Sequence, residues 1–115
     1  MIYTKGKVKG EEGEVEGEIF INSGSDVVLL PKKVAKKIKP KYVSEGEFTL
    51  ADGSRVRRDI YEIEIELEDS NGKKKRCNAH ATIEEREDIV ASFEVLEKLR
   101  AVIDTAERKI TFKID

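Results

Sequence analysis

Cysteine is almost absent from this 115-residue sequence: Cys77 stands alone, so no disulfide can form within the chain. His80 is the only histidine, and two such residues are too few ligands for a zinc site. No apolar run approaches the roughly 20 residues that span a bilayer, and the first residues lack the apolar core of a signal peptide. We therefore expect a cytoplasmic protein with no metal, no other cofactor and no membrane association.

An excess of charge of one sign is also missing, because 22 Lys and Arg face 24 Asp and Glu. A balanced chain has no basic face for a phosphate backbone, so we expect no nucleic-acid partner. Glutamine is absent and charged residues make up 40% of the chain, a bias that resembles proteins from hot environments. The length fits a single domain, residues 1–115, and excludes two.

Alternation of apolar and charged residues is the main pattern, and it is typical of half-buried strands. The clearest case is 61–68, where apolar residues alternate with glutamates. Asp52-Gly53 and Asn71-Gly72 predict hairpin turns, because these dipeptides readily supply positive φ angles. Helical spacing of apolar residues predicts short helices near 31–39 and 92–99. The fold class is therefore all-β, meaning mainly β with two short helices.

Nucleophilic catalysis has little support in the sequence. The strand pattern predicts that His80 faces solvent, away from any positioned nucleophile. Cys77 shares the inward face with Ala79 and Ala81, as a buried thiol that behaves like a small hydrophobe would. We expect neither residue to be a catalyst.

The most informative segment is 19–31, Ile-Phe-Ile-Asn-Ser-Gly-Ser-Asp-Val-Val-Leu-Leu-Pro. It resembles the active-site loop of the retropepsin-like aspartic proteases, in which a hydrophobic strand delivers Asp-Thr-Gly or Asp-Ser-Gly into a tight loop. Segment 48–54 resembles the flap hairpin of cellular and prokaryotic members, and 89–99 resembles the second signature, with Ala91 where glycine is usual. Segments 101–104 and 110–112 are similar to the closing strands, so the resemblance covers almost the whole chain in order.

This resemblance implies a closed acid-protease barrel with one lobe per subunit. It also implies a homodimer with the active site at the two-fold axis and peptide or protein substrates. Asn22 would occupy the catalytic position, with Ser23 and Gly24 completing the motif. The substrate-binding residues that the resemblance implies are Phe20, Asp26, Val27, Ala51, Asp52, Gly53, Ser54, Ile89 and Val90. The terminal segments Ile2-Tyr3 and Ile110–Phe112 would contribute to the dimer interface.

Asparagine at position 22 removes the chemistry that the family relies on. Two carboxylates about 3 Å apart share one proton, so that one activates water while the other donates to the scissile carbonyl. A carboxamide keeps the size of a carboxylate but cannot take a proton from water. Asn22 is either an engineered Asp→Asn change in an endopeptidase or a native residue in a non-catalytic peptide-binding dimer.

The other aspartates are less suited to catalysis. Asp104-Thr105-Ala106 imitates the motif but lacks its glycine, and Asp52 and Asp69 lie at predicted turns. Asp26 stands where the family has a polar residue that holds the substrate backbone; a role in stabilising the turn or the dimer fits the sequence equally well. A small β domain used only for interaction is the remaining alternative, and it requires no cleft between subunits.

Overall fold

A computed structural model describes residues 1–113 of the chain. Nine strands and two short helices form over these residues. The strands are β1 (Tyr3–Lys9), β2 (Glu14–Ile21), β3 (Val28–Pro31), β4 (Lys41–Thr49), β5 (Arg55–Glu68), β6 (Lys74–Glu84), β7 (Ile89–Ala91), β8 (Ala101–Asp104) and β9 (Lys109–Phe112). The helices are α1 (Lys32–Ile38) and α2 (Phe93–Lys98). The mainly-β class, the two helices and both predicted hairpin turns are confirmed.

Six strands close into a barrel in the order β1, β2, β7, β3, β6 and β5, and β5 returns to β1. Gly6 lies at the closure, paired with Gly17 on β2 and with Leu67 on β5. A Cβ atom at Gly6 would stand 2.6 Å from the carbonyl oxygen of Glu66, so only glycine permits this approach. The seventh strand, β4, pairs with β5 alone and extends from the barrel as a hairpin.

The core fills the barrel with aliphatic side chains from alternate strand positions. On β5 the inward residues Ile63, Ile65 and Leu67 are buried, while the glutamates between them are partly exposed. This is the alternation that the sequence predicts for 61–68. Each buried Ile or Leu side chain contributes about 1.5–3 kcal/mol through removal from water, so the core supplies most of the folding free energy.

The two helices are short and pack on the strands, α1 against β2, β3 and β6, and α2 against β6 and β8. Pro31 precedes α1, and Lys39 ends it with φ of 54°, in the left-handed region. The N–H groups of Glu11 and Glu12 donate to the carbonyls of Lys39 and Ile38, which satisfies the end of the helix. In α2 the buried residues are Val95 and Leu96, whereas Phe93 is half exposed, unlike the other apolar residues of the predicted helix.

Strands β8 and β9 form a separate two-stranded sheet. Ile110 and Phe112 turn their side chains into the core of their own chain and are 2% and 6% exposed. Their side chains therefore pack within their own chain, and a contribution of this segment to a subunit interface stays a prediction. Ile2 is also buried, and Tyr3 packs against Phe20 with ring centroids 5.3 Å apart.

A membrane-spanning helix is not found in residues 1–113, because neither helix has the necessary length or hydropathy. Within the same residues, no three His, Cys, Asp or Glu side chains come together in an arrangement that could hold a metal ion.

Asp69 ties the β5–β6 turn to β9. Its carboxylate accepts N–H bonds from Asn71 and Lys73, both at 2.9 Å, and from Phe112 at 3.2 Å. Burial raises the pKa of Asp69, but the bonds from Lys73, Phe112 and Asn71 outweigh burial, and the net pKa lies below its ordinary value. The ionised carboxylate therefore stabilises the folded chain.

The variant Asp69→Asn should lower the free energy of unfolding by about 1–3 kcal/mol near pH 7, because the amide turns a donor toward one buried N–H. A depressed folded pKa stabilises the protein above the unfolded value near 4 and loses this effect as pH falls through the folded pKa. The difference in free energy of unfolding between the parent and the variant should therefore shrink as the pH is lowered, as measured by denaturant titrations. Asp59→Asn, an exposed change, is the control; a gap that stays constant down to about pH 2 would contradict this account.

Candidate functional site

The loop Asn22–Val27 joins β2 to β3, and it is held at Asn22 by β7 and at Ser25 by the first residue of α2. Strand β7 runs parallel to β2 and antiparallel to β3, so these two neighbours in sequence do not pair. The N–H of Asn22 donates to the carbonyl of Ala91 at 3.1 Å, and the N–H of Phe93 donates to the carbonyl of Ser25 at 2.9 Å. The loop backbone is thereby anchored to the segment that connects β7 to α2.

Asn22 folds its side chain back over the loop. Its Oδ1 accepts the N–H of Gly24 at 2.9 Å, and its backbone carbonyl accepts the N–H of Ser25 at 3.2 Å. A Cβ atom on Gly24 would stand 3.2 Å from Oδ1, so glycine leaves room for this bond. The bond engages Oδ1, and the side-chain nitrogen has no hydrogen-bond partner among residues 1–113. Asn22, Ser23 and Gly24 thus form one tight turn.

A recess of about 380 Å³ lies between this loop and the β4–β5 hairpin. We call it the inner recess. Its apolar wall consists of Val27, Leu29, Phe48, Leu50 and Val56. Gly24, Ser25, Asp26, Thr49, Arg58, Thr82, Glu84, Glu85 and Arg86 complete the lining.

A second recess, of about 400 Å³, lies on the other side of Asp26, Val27 and Phe48. We call it the outer recess. It is lined further by Val43, Ser44, Ile60, His80 and Glu94. Asp26, Val27 and Phe48 line both recesses, so the two lie side by side; we call them together the groove. A groove of this shape accommodates an extended chain with side chains in separate recesses.

The predicted hairpin-tip residues Ala51, Asp52, Gly53 and Ser54 do not line either recess. They are exposed and hold the turn: Asp52 Oδ1 accepts the N–H and hydroxyl of Ser54, and Gly53 has φ of 86°. These hydrogen bonds from Ser54 hold the pKa of Asp52 below its usual value. The groove is lined instead by Phe48, Thr49 and Leu50 just before the tip, which the sequence analysis did not select. The alternation of residues along β4 could have identified Phe48 and Leu50, because residues two apart on a strand face the same side.

Four other predicted site residues lie outside both recesses. Phe20 and Ser23 line a separate recess of about 230 Å³, beside Met1, Ile2, Ile21, Ile103, Thr105 and Arg108. Ile89 and Val90 are 5% and 1% exposed, because β7 is flanked on both sides by strands. They support the loop from the core and do not reach the groove.

His80 lies on the surface, as the strand pattern predicts, and its ring Nδ1 is 3.1 Å from Glu94 Oε2. Cys77 is half buried, and burial raises the pKa of its thiol. A protonated, half-buried thiol is a poor nucleophile.

Solved structures of protease-like domains share this fold. The solution structure of simian foamy virus (mac) protease matches with a TM-score of 0.59 and 13% identity, covering 84% of this chain and 93% of that chain. The crystal structure of the retroviral protease-like domain of Ddi1 from Leishmania major matches with a TM-score of 0.64 and 15% identity, covering 100% of this chain and 90% of that chain. Neither a family model nor a curated protein matches the sequence.

These similarities concern the fold. The closed six-stranded barrel with two short helices is the retropepsin-like fold, as the sequence resemblance implied. Identities of 13% and 15% carry no residue from those proteins to this one. The roles of Asn22, Asp26 and their neighbours therefore depend on the geometry of this chain.

Ser92 caps α2 directly behind the Asn22 loop, but its hydroxyl makes no hydrogen bond. The residue is fully buried, and its Oγ is the buried side-chain atom without a partner in residues 1–113. Replacing a desolvated, unpaired hydroxyl by a hydrogen atom removes an unfavourable burial.

The variant Ser92→Ala should therefore keep the free energy of unfolding unchanged or raise it by up to about 1 kcal/mol, although most N-cap serines stabilise their helix. Denaturant unfolding of the parent and the variant tests this. A loss of more than about 1 kcal/mol would show that the hydroxyl is satisfied in solution.

Proposed function

We propose that the chain is an inactivated, Asp-to-Asn form of a retropepsin-like aspartic endopeptidase domain that acts as a homodimer, with position 22 as its catalytic position. The observation that carries this proposal is the bond from the Gly24 N–H to Asn22 Oδ1, in a loop beside a hairpin-covered groove. An aspartate at position 22 would receive the same bond on one oxygen and keep the other for a proton.

The proposed chemistry needs two such aspartates. With Asp at position 22 in both subunits, the close carboxylates share one proton, because they cannot both ionise. The ionised carboxylate takes a proton from a bound water, and the protonated one donates to the carbonyl of the scissile peptide bond. The Gly24 N–H would fix the orientation of each carboxylate. The chain with Asn22 lacks this base and would hold peptides without cleaving them.

The groove suits extended peptides with apolar residues near the scissile bond. Val27, Leu29 and Phe48 give the inner recess an apolar wall next to the Asn22 loop. The hairpin strand β4 has one unpaired edge, which can hydrogen-bond an added strand. Backbone bonds would then supply affinity and the recess would select the side chain.

A dimer follows from the single loop of each chain. One chain supplies half of the pair, and a two-fold axis beside Asn22 would bring in the other half. The recess that contains Ser23, Phe20 and Ile103 opens next to the loop and would present an apolar surface to a second copy.

A natural non-catalytic peptide-binding dimer is the second candidate. Asn22 itself favours it, because a carboxamide cannot take a proton from water, although its Oδ1 accepts the Gly24 N–H at an ordinary distance of 2.9 Å. The amide is thus well accommodated in the turn. Both candidates use the same groove and the same dimer, and the reverted protein separates them.

The variant Asn22→Asp should hydrolyse extended peptides under acidic conditions, with activity falling at both pH extremes, because one carboxyl must be protonated and the other ionised. Statine-type inhibitors, which place a hydroxyl between the carboxylates, should block it. Cleavage of a broad peptide library, from about pH 3 to about pH 8, is the measurement.

Asn78→Asp is the matched control, since it makes the same chemical change on an exposed position of β6 and should create no activity. Intact-mass analysis of the parent excludes conversion of Asn22 to Asp during storage. A folded, dimeric Asn22→Asp protein that cleaves nothing in the library favours the non-catalytic candidate.

The Asn22→Asp activity should also require the dimer. Sedimentation at micromolar concentration should give the mass of two chains, and specific activity should fall on dilution as subunits separate. Ile103→Asp, at the proposed interface, should lower the dimer fraction and the activity together. A monomer that retains full specific activity would contradict the shared site.

A further inference from the structure

Charge is distributed unevenly along the groove. In the inner recess each glutamate has a cation: Arg58 Nε is 3.4 Å from Glu84 Oε2, and Lys32 Nζ pairs with Glu85. Arg86 donates through Nε to the carbonyl of Asp88. Both glutamates of the inner recess are thus paired within the chain, and five apolar side chains form one wall of the recess.

Asp26 is different, because its carboxylate has no hydrogen-bond or ion-pair partner among residues 1–113. It is exposed and stands in the wall that both recesses share. An unpaired carboxylate in a groove attracts a cation from outside the chain.

Glu94 supplies a second carboxylate at the far side of the outer recess. Its oxygens accept the backbone N–H of His80 at 2.9 Å and contact the His80 ring at 3.1 Å and Lys98 Nζ at 3.2 Å. Burial raises the pKa of Glu94, but the bonds from His80 and Lys98 outweigh it and hold the pKa below its usual value. Lys98 offsets the charge of Glu94, whereas no cation of residues 1–113 lies within ion-pair distance of Asp26.

The outer recess also has an apolar floor, made of Val43, Phe48 and Ile60. Arginine and lysine side chains bury their methylene stems along such surfaces and keep the charged group at the rim. A recess with this floor and an unpaired carboxylate at its edge therefore complements a long basic side chain.

We propose that the outer recess is a specificity subsite for an arginine or lysine of the bound peptide. The basic residue lies two positions from the apolar residue in the inner recess, because side chains two apart in an extended chain point to the same face and the recesses share one wall. This inference rests on the proposed function for the peptide nature of the ligand. Asp26 is the residue that determines the preference.

Peptide binding to the Asn22 chain tests the subsite without cleavage. Three extended peptides share the same central apolar residue. They carry arginine, norleucine or glutamate at the two positions that lie two residues before and two residues after it. The arginine peptide should bind about fivefold more tightly than the norleucine peptide, the scale of a partly exposed ion pair, and the glutamate peptide most weakly. The arginine preference should shrink as salt is raised.

Two variants locate the effect. Asp26→Asn should abolish the preference for arginine over norleucine, whereas Asp59→Asn, on the opposite face of the hairpin, should leave it intact. Both remove one negative charge from an exposed position, so the pair separates a local contact from a change in net charge. Equal affinities for the three peptides, or equal effects of the two variants, overturn the assignment.

Cleavage by Asn22→Asp separates failure of the subsite from failure of the proposed function. A library cut at apolar sites with no enrichment of basic residues two positions away overturns the subsite and supports the protease. Arginine-selective binding that depends on Asp26, without any cleavage, supports the subsite and overturns the catalytic proposal. Failure of all three peptides to bind at millimolar concentration counts against both.

Discussion

The insertion of β7 between β2 and β3 is the constraint on which the rest of the site depends. Without it, β2 and β3 would form an ordinary hairpin, because neighbouring strands usually pair directly. With β7 between them, the connecting loop must cross the end of that strand, and its backbone groups need partners elsewhere. The carbonyl of Ala91 and the N–H of Phe93 supply them, at 3.1 and 2.9 Å. The Asn22 turn is therefore a consequence of sheet topology.

The groove combines this fixed loop with a hairpin that the barrel supports at one edge only. Ion pairs such as Arg55 with Glu47 and Arg57 with Glu45 run across the exposed face of the hairpin. Exposed pairs of this kind contribute about 0–1 kcal/mol each, so they do little for stability. None of these four residues lines the groove; the glutamates that do, Glu84, Glu85 and Glu94, pair with Arg58, Lys32 and Lys98. Asp26 stands out for that reason.

The turn at Asn22 keeps its conformation without the carboxylate that catalysis would need. Asn22 Oδ1 accepts the same kind of N–H bond that a carboxylate would, so the turn does not depend on ionisation. The loop, the groove and the barrel therefore persist with an amide in place. The barrel is common to protease-like domains that differ widely in sequence, which agrees with function residing in a few residues placed on a shared scaffold.

The sequence by itself determined the local features of this protein. Alternation along 61–68 identified a half-buried strand, and Asp52-Gly53 and Asn71-Gly72 identified the turns, because these signals arise from neighbouring residues. The pattern around Asn22 also marked the loop on which the site is built.

Only the tertiary structure decided which of the marked residues face the groove. Ile89 and Val90 are buried because strands flank β7 on both sides, and Phe112 fills the core, although all three are equally apolar in sequence. Asp26 and Glu94 come from distant segments, and their shared recess depends on how β4, β6 and α2 pack. Contacts between distant segments are set by packing of the whole barrel, and no local pattern encodes them.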